Sequence, residues 1–158
     1  MIKILHLSKF YPPIQGGIET FLFDLNECIY KNHKDDIQSD ILSFNNTNKT
    51  TRDNSRGYLI QRSGMHTSIA KMPISINYIT WLRTNVSKYD IIHLHYPNPF
   101  SDLAVLLSGF KGKLIVHWHS DIIKQKVTHI LYSPLRRWML NKADKIIATS
   151  SNYAQGSS

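Results

Sequence analysis

The sequence predicts an α/β fold, a Rossmann-like doubly wound parallel sheet. Short apolar runs of strand length alternate with stretches of helical periodicity over all 158 residues. That alternation is typical of parallel strands joined by right-handed helical crossovers. Six runs are predicted strands in the spatial order 3-2-1-4-5-6, which places the first strand inside the sheet. Ligands of such sheets bind beyond the carboxyl ends of the strands, so functional residues are expected there.

The first unit is predicted to be a strand, a glycine-containing loop and a helix. Residues 2–7 form the apolar run of a buried strand, and Pro12 and Pro13 stop it. Gly16 and Gly17 then precede apolar residues at helical spacing. The free amides and the macrodipole of a helix start make an anion site, and glycine lets a phosphate approach the backbone. A tight turn at positive φ is the alternative interpretation of the glycine pair.

The other elements continue the alternation. The remaining predicted strands are residues 37–44, 57–62, 90–95, 112–119 and 144–149, and the polar stretches 45–55 and 64–71 are predicted loops. Three further helices are predicted: one from about Pro73, one through Leu103 that stops at Gly109 with Asn98 or Ser101 as its cap, and one after the loop 120–128 with Leu131, Leu135, Trp138 and Met139 inward.

Composition narrows the class of protein. Apolar residues make up 42% and charged residues 19% of the chain, which fits a globular protein and excludes a disordered one. The one cysteine, Cys28, is expected near the buried stripe of the first helix and excludes a disulfide framework, so we expect a reducing, cytoplasmic compartment. No apolar run has the length of a membrane span, and the first strand begins where a signal peptide would lie. A net charge of +8 favours an anionic partner: nucleic acid, a phosphorylated substrate or an acidic lipid surface.

Two pairs of histidines lie near strand ends. The two-residue period of a strand places His93 with His95, and His117 with His119, on one face of the sheet. His95 and His119 come last in their strands, at the edge where ligands bind. His93 and His117 are expected to pack inside the sheet as neutral, hydrogen-bonded groups.

Metal binding by these histidines is one alternative. Histidines two residues apart on a strand can chelate zinc, and Asp121 could add an oxygen ligand. No His-x-x-x-His motif or cysteine cluster supports such a site, so no metal is predicted. The other alternative is a loop, containing Asp121 and Lys126, that closes over a phosphate or sugar beside His119.

With these motifs in order, the chain resembles the N-terminal half of family-four retaining glycosyltransferases of the GT-B fold. The matching segments are residues 9–19 (KFYPPIQGGIE), 93–99 (HLHYPNP), 117–121 (HWHSD) with Lys126, and 143–150 (ADKIIATS). The resemblance covers essentially the whole chain, and four motifs in the same order are far more specific than any one alone.

The resemblance implies an enzyme of two domains that transfers a sugar from a nucleotide sugar, such as a UDP- or GDP-sugar, to a saccharide or lipid-linked acceptor. It implies retention of configuration, with no metal or other cofactor. Residues 1–150 would be the acceptor-side domain, and residues 151–158 would begin the interdomain connection. The family's donor-binding domain, with its Glu-x7-Glu motif, is not in this sequence, so the chain alone is expected to be inactive.

Individual roles follow from the same motif match. Gly16 and Gly17 would hold the donor diphosphate, and His119 would lie near the donor sugar at the reacting centre. His95, Asp121 and Lys126 would line the acceptor side. The expected location is the cytoplasm, with peripheral contact to an anionic membrane surface.

Two other functions compete with this interpretation. The basic charge suits a nucleic-acid-binding module, but the sequence has no basic stripe interleaved with aromatic residues, so nucleic acid is not an expected partner. A different Rossmann enzyme, nicotinamide-dependent or a sugar epimerase, would need the G-x-G-x-x-G fingerprint, which is missing from the first loop.

Overall fold

The structure is a computed structural model that describes residues 1–69, 71–120 and 126–149, with the backbone alone for 126–131. The strands are β1 (Ile2–Leu7), β2 (Ile37–Phe44), β3 (Thr51–Asp53), β4 (Ile60–Ser63), β5 (Thr67–Ile69), β6 (Met72–Ile74), β7 (Ile91–Tyr96), β8 (Lys113–Trp118) and β9 (Lys145–Ala148). The helices are α1 (Gly17–His33), α2 (Ile76–Asn85), α3 (Pro99–Ser108) and α4 (Lys126–Lys142), and a 3-10 turn, Val86–Lys88, follows α2.

The main sheet has seven strands in the order β3-β4-β2-β1-β7-β8-β9. Neighbouring strands run parallel except β3, which pairs antiparallel with β4. With β4, β7, β8 and β9 as predicted strands three to six, the predicted order 3-2-1-4-5-6 is confirmed. β1 lies in the middle, as predicted, so its carboxyl end meets those of β2 and β7 at one edge.

Three short strands were not predicted. β3 lies within the stretch 45–55 that was predicted to be a loop, and β5, the first strand of the antiparallel hairpin β5–β6, lies within the predicted loop 64–71. Each has three residues, too few for alternating polarity to be recognised. Their partners hold them in place: Thr51 lies opposite Arg62 of β4, and Thr67 lies opposite Ile74.

Helix boundaries follow local capping chemistry. α2 begins after Ser75, whose hydroxyl accepts a hydrogen bond from the Tyr78 amide at 3.3 Å, whereas Pro73, the predicted start, is in β6. Asn98 is the N-cap residue of α3, although its side chain makes no capping hydrogen bond. α3 ends at Gly109, which has the left-handed φ of 71° that favours glycine at this position, as predicted. None of the helices in the described part of the chain combines the length and apolar character needed to cross a membrane.

The sheet separates two cores. On one face α2, α3 and α4 cover fully buried residues such as Leu5, Leu94 and Val116. On the other face α1 lies over β1, β2 and β4, with Leu22 in the core and the Asn26 amide donating to the Ser39 carbonyl oxygen at 3.1 Å.

Cys28 is exposed, which corrects the expectation that it lies near the buried stripe of α1. The buried positions of α1 are Leu22 and Asn26, four residues apart on one helix face. Cys28 follows Asn26 by two residues, or about 200° around the helix, and therefore lies away from the sheet.

Candidate active site

Contacts of Tyr11 and Pro12 fix the loop between β1 and α1. Tyr11 is 1% exposed, and its hydroxyl oxygen lies 3.0 Å from that of Tyr58, which in turn donates to Glu27 of α1 at 2.6 Å. Nη2 of Arg62 donates to the Pro12 carbonyl oxygen at 2.5 Å. These contacts tie the loop to β4 and to α1, so the start of α1 has a fixed position at the carboxyl edge of the sheet.

The two glycines form the start of α1 without unusual backbone angles. Gly16 is the N-cap residue with an extended φ of 177°, and Gly17, the first helical residue, is also outside the left-handed region. The alternative of a tight turn at positive φ is therefore wrong. No side chain caps this helix start in the described structure. A Cβ atom added at Gly17 would meet nothing within 4 Å, so the space beside this residue is open.

A carboxylate lies beside the open helix start. The side chain of Glu19 turns back over Gly16, at the position that a Cβ atom of Gly16 would occupy. The Glu19 charge also acts on Lys9, where it opposes the effect of burial, which lowers the pKa of the Lys9 ammonium. Glu19 thus sets a negative charge close to the amides where an anion would bind.

Five histidines form one cluster on the face of the sheet that α1 covers. In the strand register His6 of β1 pairs with His93 of β7, and His95 of β7 pairs with His117 of β8. His119 follows the end of β8. We call these five residues the histidine cluster. Its rings lie close to one another, with centroids 4.2 Å apart for His117 and His119 and 4.9 Å apart for His6 and His93.

Three members of the histidine cluster form a hydrogen-bonded chain. Nε2 of His95 lies 3.1 Å from Nδ1 of His6, and Nδ1 of His95 lies 3.0 Å from Nε2 of His119. A neutral imidazole has one donor and one acceptor nitrogen, so three neutral rings satisfy both bonds in either direction. The chain links a fully buried residue of β1 to the half-buried His119 at the sheet edge.

The other two members lack hydrogen bonds at buried atoms. Nε2 of His93 and Nδ1 of His117 have no partner among the described residues, so the expectation that these two histidines are hydrogen-bonded is not met at those atoms. Both are buried, as predicted. They pack by stacking, with their two rings nearly parallel at 6°.

Burial keeps the histidine cluster uncharged at neutral pH. It lowers the pKa values of His6 and His95 well below the usual range, and repulsion from neighbouring imidazoles adds to the effect. Burial together with neighbouring histidines lowers the pKa values of His93 and His119 to about 4, and burial also lowers the pKa of His117. The histidine cluster therefore presents neutral donors and acceptors rather than positive charge.

A buried carboxyl group lies on the opposite face of the sheet from the histidine cluster. Asp102 of α3 is fully buried, and burial raises its pKa to about 7 despite a hydrogen bond from the Tyr132 hydroxyl. Its Oδ1 atom has no partner in the described part of the chain. This group is far from the helix start of α1 in the fold, because α3 and α1 cover opposite faces.

The structure brings together some of the predicted site residues. Phe21, one turn after Gly17 in α1, packs against His117 and His119 with ring centroids 5.0 and 5.3 Å apart. The glycine pair and His119 therefore lie at the same edge of the sheet. His95 is also close, but at 1% exposure it contacts His6 and His119 beneath the surface. Asp121 lies outside the described residues, and Lys126 is the first residue of α4.

Two residues of this site were not predicted from the sequence. His6 is the single non-aliphatic residue between Ile4 and Leu7 in β1, and that break in an apolar strand was the available signal. Phe21 is one of the apolar residues at helical spacing after Gly17, but it is 38% exposed and covers the edge of the histidine cluster. Both roles depend on strand register and helix placement, which the sequence does not display.

Comparison with known proteins identifies the family. Residues 15–155 match the family described as Glycosyltransferase Family 4. The chain belongs to glycosyltransferase family 4. The family resemblance predicted from the four motifs is thereby confirmed, and the matched residues include Gly16, Gly17 and the whole histidine cluster except His6.

Two curated relatives of this family 4 chain are glycosyltransferases. The chain is 31% identical over 158 residues to O-antigen chain mannosyltransferase C of Escherichia coli, covering 99% of this chain and 42% of the relative. It is 30% identical over 161 residues to D-rhamnosyltransferase WbpZ of Pseudomonas aeruginosa, covering 96% of this chain and 39% of the relative. The family 4 chain thus spans about two fifths of the length of these relatives.

A solved structure confirms the fold. Sucrose-phosphate synthase from Thermosynechococcus elongatus matches with a TM-score of 0.63 at 16% identity, over 98% of the family 4 chain and 44% of that protein. At this level of identity the likeness concerns the fold alone, and it agrees with the predicted Rossmann-like domain of a GT-B protein.

Proposed function

We propose that this chain is the acceptor-side domain of a glycosyltransferase that moves a sugar from a nucleotide sugar to a saccharide acceptor. The observation that carries the proposal is the uncapped start of α1 at the same sheet edge as His119, in a domain of glycosyltransferase family 4. The names of the relatives support an acceptor of the O-antigen type and a donor of mannose or rhamnose, which share the manno configuration.

The start of α1 is the proposed site for the donor diphosphate. The first-turn amides point out of the helix with no capping side chain, and the macrodipole adds partial positive charge. The space beside Gly17 lets a phosphate oxygen approach the backbone. Charge that develops on the leaving diphosphate would be stabilised by these fixed dipoles, which supports transfer without a metal ion.

The proposed reaction retains the configuration of the sugar. The bond between C1 of the sugar and the diphosphate oxygen breaks, and the acceptor oxygen bonds to C1 on the same face. The acceptor proton passes to an oxygen of the leaving phosphate. The protein then acts by positioning and charge stabilisation, so precise placement of sugar and acceptor carries much of the rate.

His119 is the proposed contact to the donor sugar. It is half-buried, neutral and held by His95, so it offers one oriented nitrogen to a sugar hydroxyl. Because His95 is buried, its proposed contribution is to position His119. Asp121 and Lys126 remain proposed acceptor-side residues, from the motif match alone. We further propose that the enzyme works in the cytoplasm, where its basic charge allows peripheral contact with an anionic membrane.

The test joins this chain to the C-terminal domain of a family 4 relative and measures transfer from GDP-mannose, GDP-rhamnose and UDP-glucose to a lipid-linked saccharide. We expect transfer with retained configuration that is insensitive to EDTA, while the 158-residue chain alone stays at background. NMR of the product reports the configuration at C1.

A control variant tests whether a histidine substitution outside the site affects transfer. The joined protein with His33→Ala, a change at an exposed histidine at the opposite end of α1 from the helix start, should transfer at the normal rate. A folded fusion that binds the nucleotide sugars and yet transfers to no saccharide would contradict the proposal, as would robust turnover by the chain alone.

A further inference from the structure

We propose that His95, His117 and His119 form a binding site for one transition-metal ion of the Zn²⁺ class, with solvent as the fourth ligand. We call these three residues the outer triad. This metal site is an addition to the proposed transfer reaction, which needs no metal ion bound to these residues.

The nitrogens of the outer triad are close to a ligating arrangement. One ring nitrogen from each residue lies within 4.8 Å of the other two. Two nitrogens at 2.0–2.1 Å from a tetrahedral ion are roughly 3.3 Å apart. The 3.0 Å separation of His95 Nδ1 and His119 Nε2 is already near that value. To bind the ion, the His117 ring would have to turn and bring one of its nitrogens nearer to the other two. Its buried Nδ1 has no partner among the described residues, so that turn breaks no hydrogen bond of this atom.

A second, overlapping group consists of His6, His93 and His95, which we call the inner triad. Its members are at most 9% exposed, so an ion there would lose nearly all of its hydration. A three-histidine site normally keeps one position for water, and only the outer triad reaches the sheet edge, through His119. The geometry therefore favours the outer triad.

His6 would act as a supporting partner of the outer triad. If His95 ligates through Nδ1, its proton sits on Nε2 and donates to Nδ1 of His6, 3.1 Å away. Such a hydrogen bond behind a ligating histidine fixes its tautomer and its ring orientation. The contact already exists in the structure, so binding requires no rearrangement of β1 or β7.

The ligand set selects a chemical class of ion. Three imidazole nitrogens suit Zn²⁺, Co²⁺, Ni²⁺ and Cu²⁺, whereas Mg²⁺ and Ca²⁺ prefer oxygen ligands. Neutral imidazole is the form that binds such an ion. If the proposed function holds, a bound ion replaces the hydrogen bond from His95 that orients His119 toward the sugar, so Zn²⁺ would inhibit transfer; this consequence, unlike the binding itself, rests on the proposed function.

The test measures binding by the 158-residue chain without any affinity tag, so that it does not depend on enzyme activity. The protein is treated with EDTA, freed of the chelator and titrated with Co²⁺, whose visible absorption is intense in tetrahedral sites. We expect one tetrahedral Co²⁺ per chain, displaced by Zn²⁺ and not by Mg²⁺. Absence of a tetrahedral Co²⁺ spectrum would overturn the proposal.

The Zn²⁺ affinities of histidine-to-glutamine variants show which residues bind the ion. His119→Gln and His117→Gln should each lower Zn²⁺ affinity by more than 100-fold, beyond the 10- to 100-fold loss expected for the supporting change His6→Gln. His33→Gln and His66→Gln, at exposed histidines outside the histidine cluster, should leave binding unchanged. Circular dichroism and the thermal midpoint confirm that each variant is folded.

Two further outcomes are decisive. If His93→Gln abolishes binding while His119→Gln keeps it in a folded protein, the ion sits in the inner triad and the proposed site is wrong. If Zn²⁺ binds as expected but leaves transfer by the joined enzyme unchanged, the site stands and the proposed role of His119 in transfer fails.

Discussion

Nδ1 of His95 lies 3.0 Å from Nε2 of His119, while the other nitrogen of His95 lies 3.1 Å from Nδ1 of His6. One buried imidazole thus connects the middle strand of the sheet to the edge where α1 begins. Since His95 is 1% exposed, it cannot turn toward solvent without leaving both contacts. The orientation of His119 therefore depends on two residues buried beneath the surface, His95 and His6.

We expect His119→Ala and His117→Ala to have different effects in the joined enzyme. His119 is half-buried and proposed to contact the sugar, so its loss should lower turnover on the order of 10²-fold with little change in thermal midpoint. His117 is 6% exposed and stacks on His93 and His119, so its loss should mainly lower the thermal midpoint. Near-normal turnover in His119→Ala, with lost turnover in a stable His117→Ala protein, would reverse the two roles.

His6→Gln should change the tautomer of His119 without changing a residue near the ligand. Replacing the His6 imidazole with a flexible amide, which can both donate and accept, weakens the preference for one direction of the hydrogen-bonded chain. One hydrogen bond contributes about 1 kcal/mol, or roughly fivefold in the tautomer ratio. Nitrogen-15 NMR of the imidazoles measures that ratio directly, with His66→Gln as control. An unchanged His119 ratio in folded His6→Gln protein would show that the chain does not orient His119.

Gly17→Val should block the proposed diphosphate site without disturbing the fold. The added side chain meets no atom within 4 Å at its Cβ, and the backbone of Gly17 is not left-handed, so we expect less than about 1 kcal/mol of lost stability. Affinity for the donor diphosphate should fall at least roughly tenfold, because a branched side chain stands before the amides.

Gly109→Val provides the matched control for Gly17→Val. Its Cβ would also meet nothing within 4 Å, but its φ of 71° is left-handed and should cost about 1–2 kcal/mol. This variant should therefore lose stability and keep diphosphate affinity. The measurements are urea unfolding and pyrophosphate titration followed by amide NMR shifts. Equal diphosphate affinity in Gly17→Val and unchanged protein would place the diphosphate elsewhere.

Glu19→Gln should strengthen anion binding at the start of α1. The carboxylate lies beside Gly16 and competes with an incoming phosphate, so its neutralisation removes a repulsion worth about 0.3–1 kcal/mol, or roughly two- to fivefold in affinity. Pyrophosphate titration at low and high salt measures the gain, which should shrink as salt rises. Weaker pyrophosphate binding in Glu19→Gln would mean that Glu19 assists the anion site.

The histidine cluster should make the protein less stable as the pH falls from 6.5 to about 4. The folded-state pKa values of His93 and His119 are about 4, below the usual 6.5. The unfolded chain then binds more protons over this interval, so acidification favours unfolding. Above pH 6.5 these rings are neutral in both states, and their contribution is constant. Urea unfolding from pH 4 to 7.5 should show this slope, and His93→Gln should reduce it.

Asp102 should change the pH dependence of stability in the direction opposite to the histidine cluster, and it therefore provides a control for the pH profile. Its folded-state pKa of about 7 exceeds the usual 3.8, so its contribution to stability is present at low pH and is lost as the pH rises through 7. Asp102→Asn should therefore make the loss of stability on acidification steeper. A shallower profile in Asp102→Asn would contradict the assigned direction.

Much of the fold was available from the sequence. The six apolar runs, their helices and the end of α3 at Gly109 were predicted because each depends on a pattern within a few residues. The strand order followed from the alternation of strands and helices together with the right-handed crossover rule for parallel sheets. The short strands β3, β5 and β6 were missed, since three residues become a strand only when a partner is beside them. Cys28 was misplaced because the inward face of α1 is defined by Leu22 and Asn26 rather than by apolar residues alone.

The candidate site, like the fold, was predicted only in part from the sequence. The sequence alone determined the glycine pair before a helix, the paired histidines of two strands and the resemblance to a glycosyltransferase family, since each lies in a contiguous motif. Only the tertiary structure brought His6 next to His93, placed His95 between His6 and His119, and laid Phe21 over the edge. Strand register and the position of α1 decide those contacts, and both are set by packing between segments that are as much as 89 residues apart in the chain.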